Sequence, residues 1–138
     1  VRVPHGIKHA KGLSSEPTPV KNNFYLDINP HTINGNSSLT IASMTHLPFR
    51  DKTFGAVFAN HVIEHLPTTE DAMQALAELH RVADIVYITS PSRRSIGGWL
   101  TPGHHLWVWQ EDGRIYLKQR GKTDNQELTV FETTSKNQ

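Results

Sequence analysis

Residues 54–90, FGAVFANHVIEHLPTTEDAMQALAELHRVADIVYITS, hold two apolar runs on either side of one amphipathic segment. The runs at 54–60 and 84–90 are apolar on both faces instead of alternating, which is how strands buried in the middle of a parallel sheet read. The segment between them predicts a helix over 68–83. Thr68 can cap it with Asp71 three residues on, Glu70 and Asp71 suit its positive N-terminal end, and Pro67 separates it from what precedes. Ala72, Met73, Leu76, Leu79, Val82 and Ala83 fall on one stripe at helical spacing. Strand, helix and strand make a βαβ crossover, right-handed by rule.

Further β-rich runs lie at 23–28, 38–42, 113–120 and 127–134, and the opening VRVP reads as one more. The last two alternate and predict an antiparallel hairpin across GKTDNQ. The connections NPHTINGNS (29–37) and SMTHLPFRDKT (43–53) are rich in turn formers, and neither reads as a helix. The expected fold is therefore α/β: a Rossmann-like, mostly parallel sheet with a C-terminal antiparallel hairpin and few helices on one face. Because parallel sheets normally bury both faces, loops or a second subunit should cover the bare one, and a homodimer is one such arrangement. The 138 residues suit a single domain spanning 1–138, with 133–138 a frayed tail.

Charges nearly cancel, to +1, so no long-range field advertises nucleic acid or an anionic membrane as a partner. No apolar run is long enough to span a bilayer, and the opening VRVPHGIKHAKG lacks the apolar stretch of a signal peptide. The sequence has no cysteine, which excludes disulfides, thiolate zinc sites and cysteine nucleophiles and fits the cytoplasm.

Three places carry candidate chemistry. In YLDINP, Asp27 stands where a strand leaves a sheet at its carboxyl edge, and a carboxylate there can accept hydrogen bonds from both hydroxyls of a ribose. It equally suits the start of the turn that Asn29-Pro30 requires. In HVIEH, His61, Glu64 and His65 have the spacing of a zinc motif, with the histidines one helical turn apart and Glu64 as a base. Pro67 leaves barely a turn of helix, and the third ligand would have to be Glu127 or Glu132 in the hairpin, so no metal is expected. The third place is PSRRSIGGWLTPGHHLWVWQEDG (91–113), an acceptor-binding loop by composition and position. There His104 and His105 could orient or deprotonate an acceptor, Arg93 and Arg94 could meet an anionic one, and Trp99, Leu106, Trp107 and Trp109 are expected to pack under the sheet. His5, His9, His31, His46 and His80 show no partner pattern.

Residues 42–66, ASMTHLPFRDKTFGAVFANHVIEHL, resemble the segment of class I S-adenosylmethionine-dependent methyltransferases written G-D-A-x-x-L-P-F-x-D-x-S-F-D-x-V-x-x-x-H-V-L-E-H. Leu47, Pro48, Phe49, Asp51, Phe54, Val57, His61, Val62, Glu64 and His65 keep the pattern in register, and the resemblance extends over about 23–94. It implies S-adenosylmethionine as cofactor, with Gly6, Asp27, Ile28, Ser43, Met44, Asn60 and His61 around it: Asp27 on the ribose, Ser43 and Met44 flanking the adenine, and Asn60 and His61 beside the sulfur. His61, His104 and His105 are the implied catalytic candidates. The chain departs from the pattern twice. Ser43 stands where the family has aspartate, and the glycine-rich turn after the first strand is reduced to Gly6 and Gly12. The implied function is methyl transfer to a small-molecule acceptor. The alternatives are a degenerate methyltransferase-like binding or dimerisation module and, behind it, a zinc hydrolase acting through His61, Glu64 and His65.

Overall fold

The computed structural model describes residues 2–5, 22–27, 38–92, 96, 100–121 and 128–132, with side chains from Thr40 onward. Within them lie eight strands and an α-helix, and Ile96 and Leu100 are helical as well. The strands are β1 (Arg2–His5), β2 (Asn22–Asp27), β3 (Ser38–Ile41), β4 (Phe54–Asn60), β5 (Ala83–Thr89), β6 (Leu106–Glu111), β7 (Arg114–Gln119) and β8 (Thr129–Glu132). The helix α1 spans Thr69–Val82, and a 3₁₀ turn, Ile63–His65, precedes it.

Helix α1 starts where its cap dictates. The Thr68 hydroxyl accepts from the Asp71 N–H at 3.1 Å, satisfying one of the donors that a helix start leaves open. Ala72, Leu76, Leu79 and Val82 are buried as the stripe predicts, Ala75 joins them, and Met73 is half-buried at the edge. The helix then runs straight into β5 at Ala83. β4 and β5 pair in parallel from Phe54↔Ala83 to Asn60↔Thr89, completing the predicted crossover.

The larger sheet has the order β3-β2-β1-β4-β5. β2 pairs with β3 and β4 with β5 in parallel, while β1 runs antiparallel to both its neighbours. This corrects the expectation of a mostly parallel sheet at its centre. A parallel return from β1 to β2 requires a crossover, usually a helix. The intervening sequence HGIKHAKGLSSEPTPVK has two prolines, two glycines and no helical stripe, so nothing in it favours that route over an antiparallel one.

A second, antiparallel sheet has the order β6-β7-β8. The β7–β8 pairing is the predicted hairpin. β6 is a second correction, because Leu106–Glu111 was expected to lie in a loop and instead pairs along its whole length with β7. Asp112 and Gly113 join them, both at positive φ (49° and 74°), the backbone that a two-residue hairpin turn needs. Along β6, Leu106 and Val108 are buried while Trp107 and Trp109 are only half-buried on the other face. There Trp109 stacks on Tyr116 and Arg120 lies 4.6 Å from the Trp107 ring centre. The expectation that Trp107 and Trp109 pack in the core is therefore overturned by strand alternation. Trp99 and the tail 133–138 lie outside the described residues.

One apolar cluster joins the two sheets through α1, with Val57, Ile63, Leu76, Leu79, Leu106 and Leu117 all at 0–1% exposure. Each such side chain contributes roughly 1.5–3 kcal/mol by leaving water. On β5, Ile85 and Tyr87 alternate with Val86 and Ile88 and so face away from this core. They are 37% and 40% exposed, and Tyr87 stacks on Phe58 at 4.7 Å. No helix among the described residues is long and apolar enough to cross a membrane.

Candidate functional site at the carboxyl edge

The register of β1 levels its two neighbours. Arg2 stands opposite Tyr25 on one side and Phe58 on the other. Two residues further along each neighbour come Asp27 and Asn60, so these two end β2 and β4 at one height, two strand spacings or about 10 Å apart. Ile41 pairs with Asp27 and Thr89 with Asn60, so all four parallel strands end together. In open α/β sheets ligands bind at that edge, where the strand order reverses.

Ser43 follows β3 there and is exposed. Its hydroxyl lies 2.8 Å from that of Thr45, and its carbonyl accepts from the His46 N–H at 3.1 Å, which folds residues 43–46 into a turn. Met44 turns inward, 6% exposed, and packs in the core, so only Ser43 of the pair meets solvent. The apolar surface next to Asp27 belongs instead to Ile41, 58% exposed. Sequence reading did not single it out, although an isoleucine on the last residue of a strand beside a candidate acid was the available signal. β1 ends at His5, opposite Asn22, at the edge away from Asp27. Gly6, Gly12 and Ile28 lie outside the described residues.

Asn60 ends β4 with its side-chain oxygen accepting from the Thr89 hydroxyl. His61 then turns the chain out of the sheet at φ +50°, held by a 3.0 Å bond from its N–H to the Thr89 carbonyl. A non-glycine residue in the left-handed region costs on the order of 1 kcal/mol or more, and such strain concentrates at functional sites. His61 is 54% exposed, and its Nδ1 lies 3.2 Å from Glu64 Oε1. A carboxylate only accepts, so Nδ1 carries the hydrogen and Nε2 is left as the basic nitrogen.

Glu64 is 1% exposed, and its Oε2 meets no hydrogen-bond donor among the described residues. Its backbone carbonyl accepts from the His105 N–H at 2.7 Å, bringing the loop before β6 onto the 3₁₀ turn. His65 Nδ1 lies 2.9 Å from the Gly103 carbonyl, and the His65 and His104 rings meet edge to face at 4.6 Å. The structure thus gathers His61, Glu64, His65 and His104 in one cluster. His105 touches it by its backbone alone, with its side chain exposed. His61 precedes the turn, so His61 and His65 do not share a helical face as a metal pair would. Glu132 pairs with Arg114, and Glu127 lies outside the described residues. So do Arg93 and Arg94.

The other half of the family-like pattern builds a brace. Glu78 and Arg81 on α1 bond each other at 2.6 and 2.8 Å. Arg81 also donates to the Phe49 and Leu47 carbonyls and to Asp51, while Glu78 accepts from the Leu47 N–H. The Arg81 bond, ahead of the cost of burial, holds the Glu78 carboxyl below its ordinary range, and Glu78 raises Arg81 in turn. A groove of about 370 Å³ between α1 and β8 includes none of the carboxyl-edge residues.

Residues 11–84, more than half of the chain, match a family described as a methyltransferase domain. No curated protein matches the sequence. Among solved structures, the PH0226 protein from Pyrococcus horikoshii OT3 is similar at 18% identity and a TM-score of 0.46, over 78% of this chain. The chain spans 56% of that protein's length.

Proposed function

The chain belongs to the methyltransferase domain family, and from that premise we propose that it transfers a methyl group from S-adenosylmethionine to a small-molecule acceptor. The observation that carries this reading is the levelling of Asp27 with Asn60 at the carboxyl edge. The nucleoside half of the donor fits the residues there. Asp27 offers a carboxylate at the register of a ribose, Ile41 an exposed apolar surface beside it, and Ser43 a hydroxyl that can accept from an adenine amino group. Asn60 and His61 stand on the methionine side.

Bound S-adenosylmethionine supplies a methyl group already activated on a sulfonium. The protein's part is then to hold an acceptor atom in line with it and, where that atom bears a hydrogen, to take the proton. His61 suits the proton transfer, because Glu64 fixes its ring through Nδ1 and leaves Nε2 with the lone pair on a side chain open to solvent. His104 and His105 border the acceptor side from the loop before β6. The reaction leaves S-adenosylhomocysteine and the methylated acceptor, in a cytoplasmic setting that a cysteine-free chain fits.

Calorimetric titration with S-adenosylhomocysteine tests the donor site. Micromolar binding that Asp27→Ala weakens at least tenfold supports it; no heat, with no ligand-induced rise in melting temperature, refutes it. A second reading, a module that works through self-association, draws on the exposed Ile85 and Tyr87. It predicts a dimer in sedimentation that Tyr87→Asp dissociates, and a monomer at all concentrations removes it.

A further inference from the structure

We propose that Glu64, His65 and His104 bind a divalent transition-metal ion of the zinc class, at a site that adjoins the carboxyl edge proposed for the methyl donor. One ligand atom from each of these three residues lies within 4.8 Å of the others. A second observation points to a cation. Glu64 is 1% exposed, one carboxylate oxygen is taken by His61, and the other, Oε2, is buried with no donor among the described residues. A buried carboxyl oxygen is not left so in a folded interior without a partner.

His65 is prepared as a metal-ligating histidine is. A carbonyl only accepts, so His65 must give its Nδ1–H to Gly103, which fixes the tautomer and leaves Nε2 as the lone-pair nitrogen. Gly103 holds φ +84°, a backbone that side-chain-bearing residues rarely adopt. His104 meets the His65 ring edge to face at 4.6 Å, so the two imidazoles are already neighbours. His61 bonds the far oxygen of the same carboxylate and acts as a positioning residue for Glu64.

Two imidazole nitrogens and one carboxylate oxygen suit zinc, cobalt or nickel and not magnesium or calcium, which take oxygen ligands. Tetrahedral bonds of about 2.1 Å set ligand atoms roughly 3.4 Å apart, so the cluster must close slightly. His65 is exposed and His104 half-buried, so both can rotate to do it. Three protein ligands leave a position for water or another small ligand. The ion would tie the 3₁₀ turn after β4 to the loop before β6, two segments that otherwise meet through the His105 N–H to Glu64 carbonyl bond and the His65–Gly103 bond.

Calorimetric titration of tag-free, chelator-stripped protein with zinc chloride, alongside cobalt(II) absorption in the visible, tests the site. One ion per chain should bind in the micromolar range or tighter. His65→Ala and His104→Ala, both outside the core, should each weaken it at least tenfold, while His46→Ala, an exposed imidazole elsewhere, should leave it unchanged. Glu64→Gln should abolish the rise in melting temperature that zinc gives the parent. Absence of binding, or equal weakening by His46→Ala, overturns the site. So does affinity that survives both histidine variants.

Discussion

Two stretches of the family-like pattern, LPFRDK at 47–52 and HVIEH at 61–65, sit a few residues apart and spend their polar groups in opposite ways. The first directs nearly everything at its own fold. Leu47 is buried, Phe49 meets Phe54 edge to face at 4.8 Å, Asp51 and two backbone carbonyls converge on Arg81, and Lys52 Nζ donates to the His80 and Ala83 carbonyls. Each stretch holds one non-glycine residue in the left-handed region, Lys52 at φ 52° and His61 at φ 50°, but the second buries a carboxylate and leaves one of its oxygens without a donor among the described residues. A pattern of residues shared within a family therefore mixes brace and site, and only the destination of each polar group separates them.

The largest effect should come from the brace. Leu47→Ala removes a buried anchor of the 47–52 loop and should cost about 2–5 kcal/mol in urea unfolding. A loss under about 0.5 kcal/mol, the range of ordinary surface substitutions, would mean the loop is not held as described. Arg81→Met should destabilise too, by less, since it leaves Glu78 without its cation and two carbonyls without a donor. The site should behave conversely. Asp27→Ala should weaken S-adenosylhomocysteine binding at least tenfold, about 1.4 kcal/mol, with an unchanged melting temperature for the free protein. Joint loss of binding and stability would make Asp27 a turn residue first.

The smallest effect is a pH dependence. Burial, and then Lys52, push the His80 imidazole below its ordinary 6.5, and its Nε2 is buried without a partner among the described residues. The unfolded chain then takes up a proton that the folded one refuses, so stability is full above about pH 6.5 and falls as pH drops through that value. Glu78, whose folded carboxyl is shifted down, adds a second loss only as pH falls through the acidic carboxylate range. His80→Phe, which keeps the stack on Phe131 (5.4 Å between rings), should flatten the first step and leave the second. A first step of unchanged size in that variant would assign it elsewhere.

How far the sequence foretold this differs by region for physical reasons. The crossover was legible because its signals are local: a cap at Thr68, an apolar stripe, and strands apolar on both faces. The direction of β1 was not, because strand pairing depends on where a chain returns and no residue in VRVP encodes it. β6 was obscured by its tryptophans and histidines, which read as a loop by composition, although Asp112-Gly113 between two β-rich runs was a hairpin signal. At the site, His61, Glu64 and His65 stood out as a motif. That His104 joins them is a long-range contact, made by the loop before β6 docking on the 3₁₀ turn, and spacing along the chain carries no trace of it.

Amide hydrogen exchange with and without S-adenosylhomocysteine locates the donor most directly, because it reports brace and site in one experiment. A donor held at the carboxyl edge predicts ligand-induced protection at residues 41–46 and 60–65 with no change at 47–52. Protection confined to the stretch after β1, around Gly6 and Gly12, or none anywhere, would contradict it.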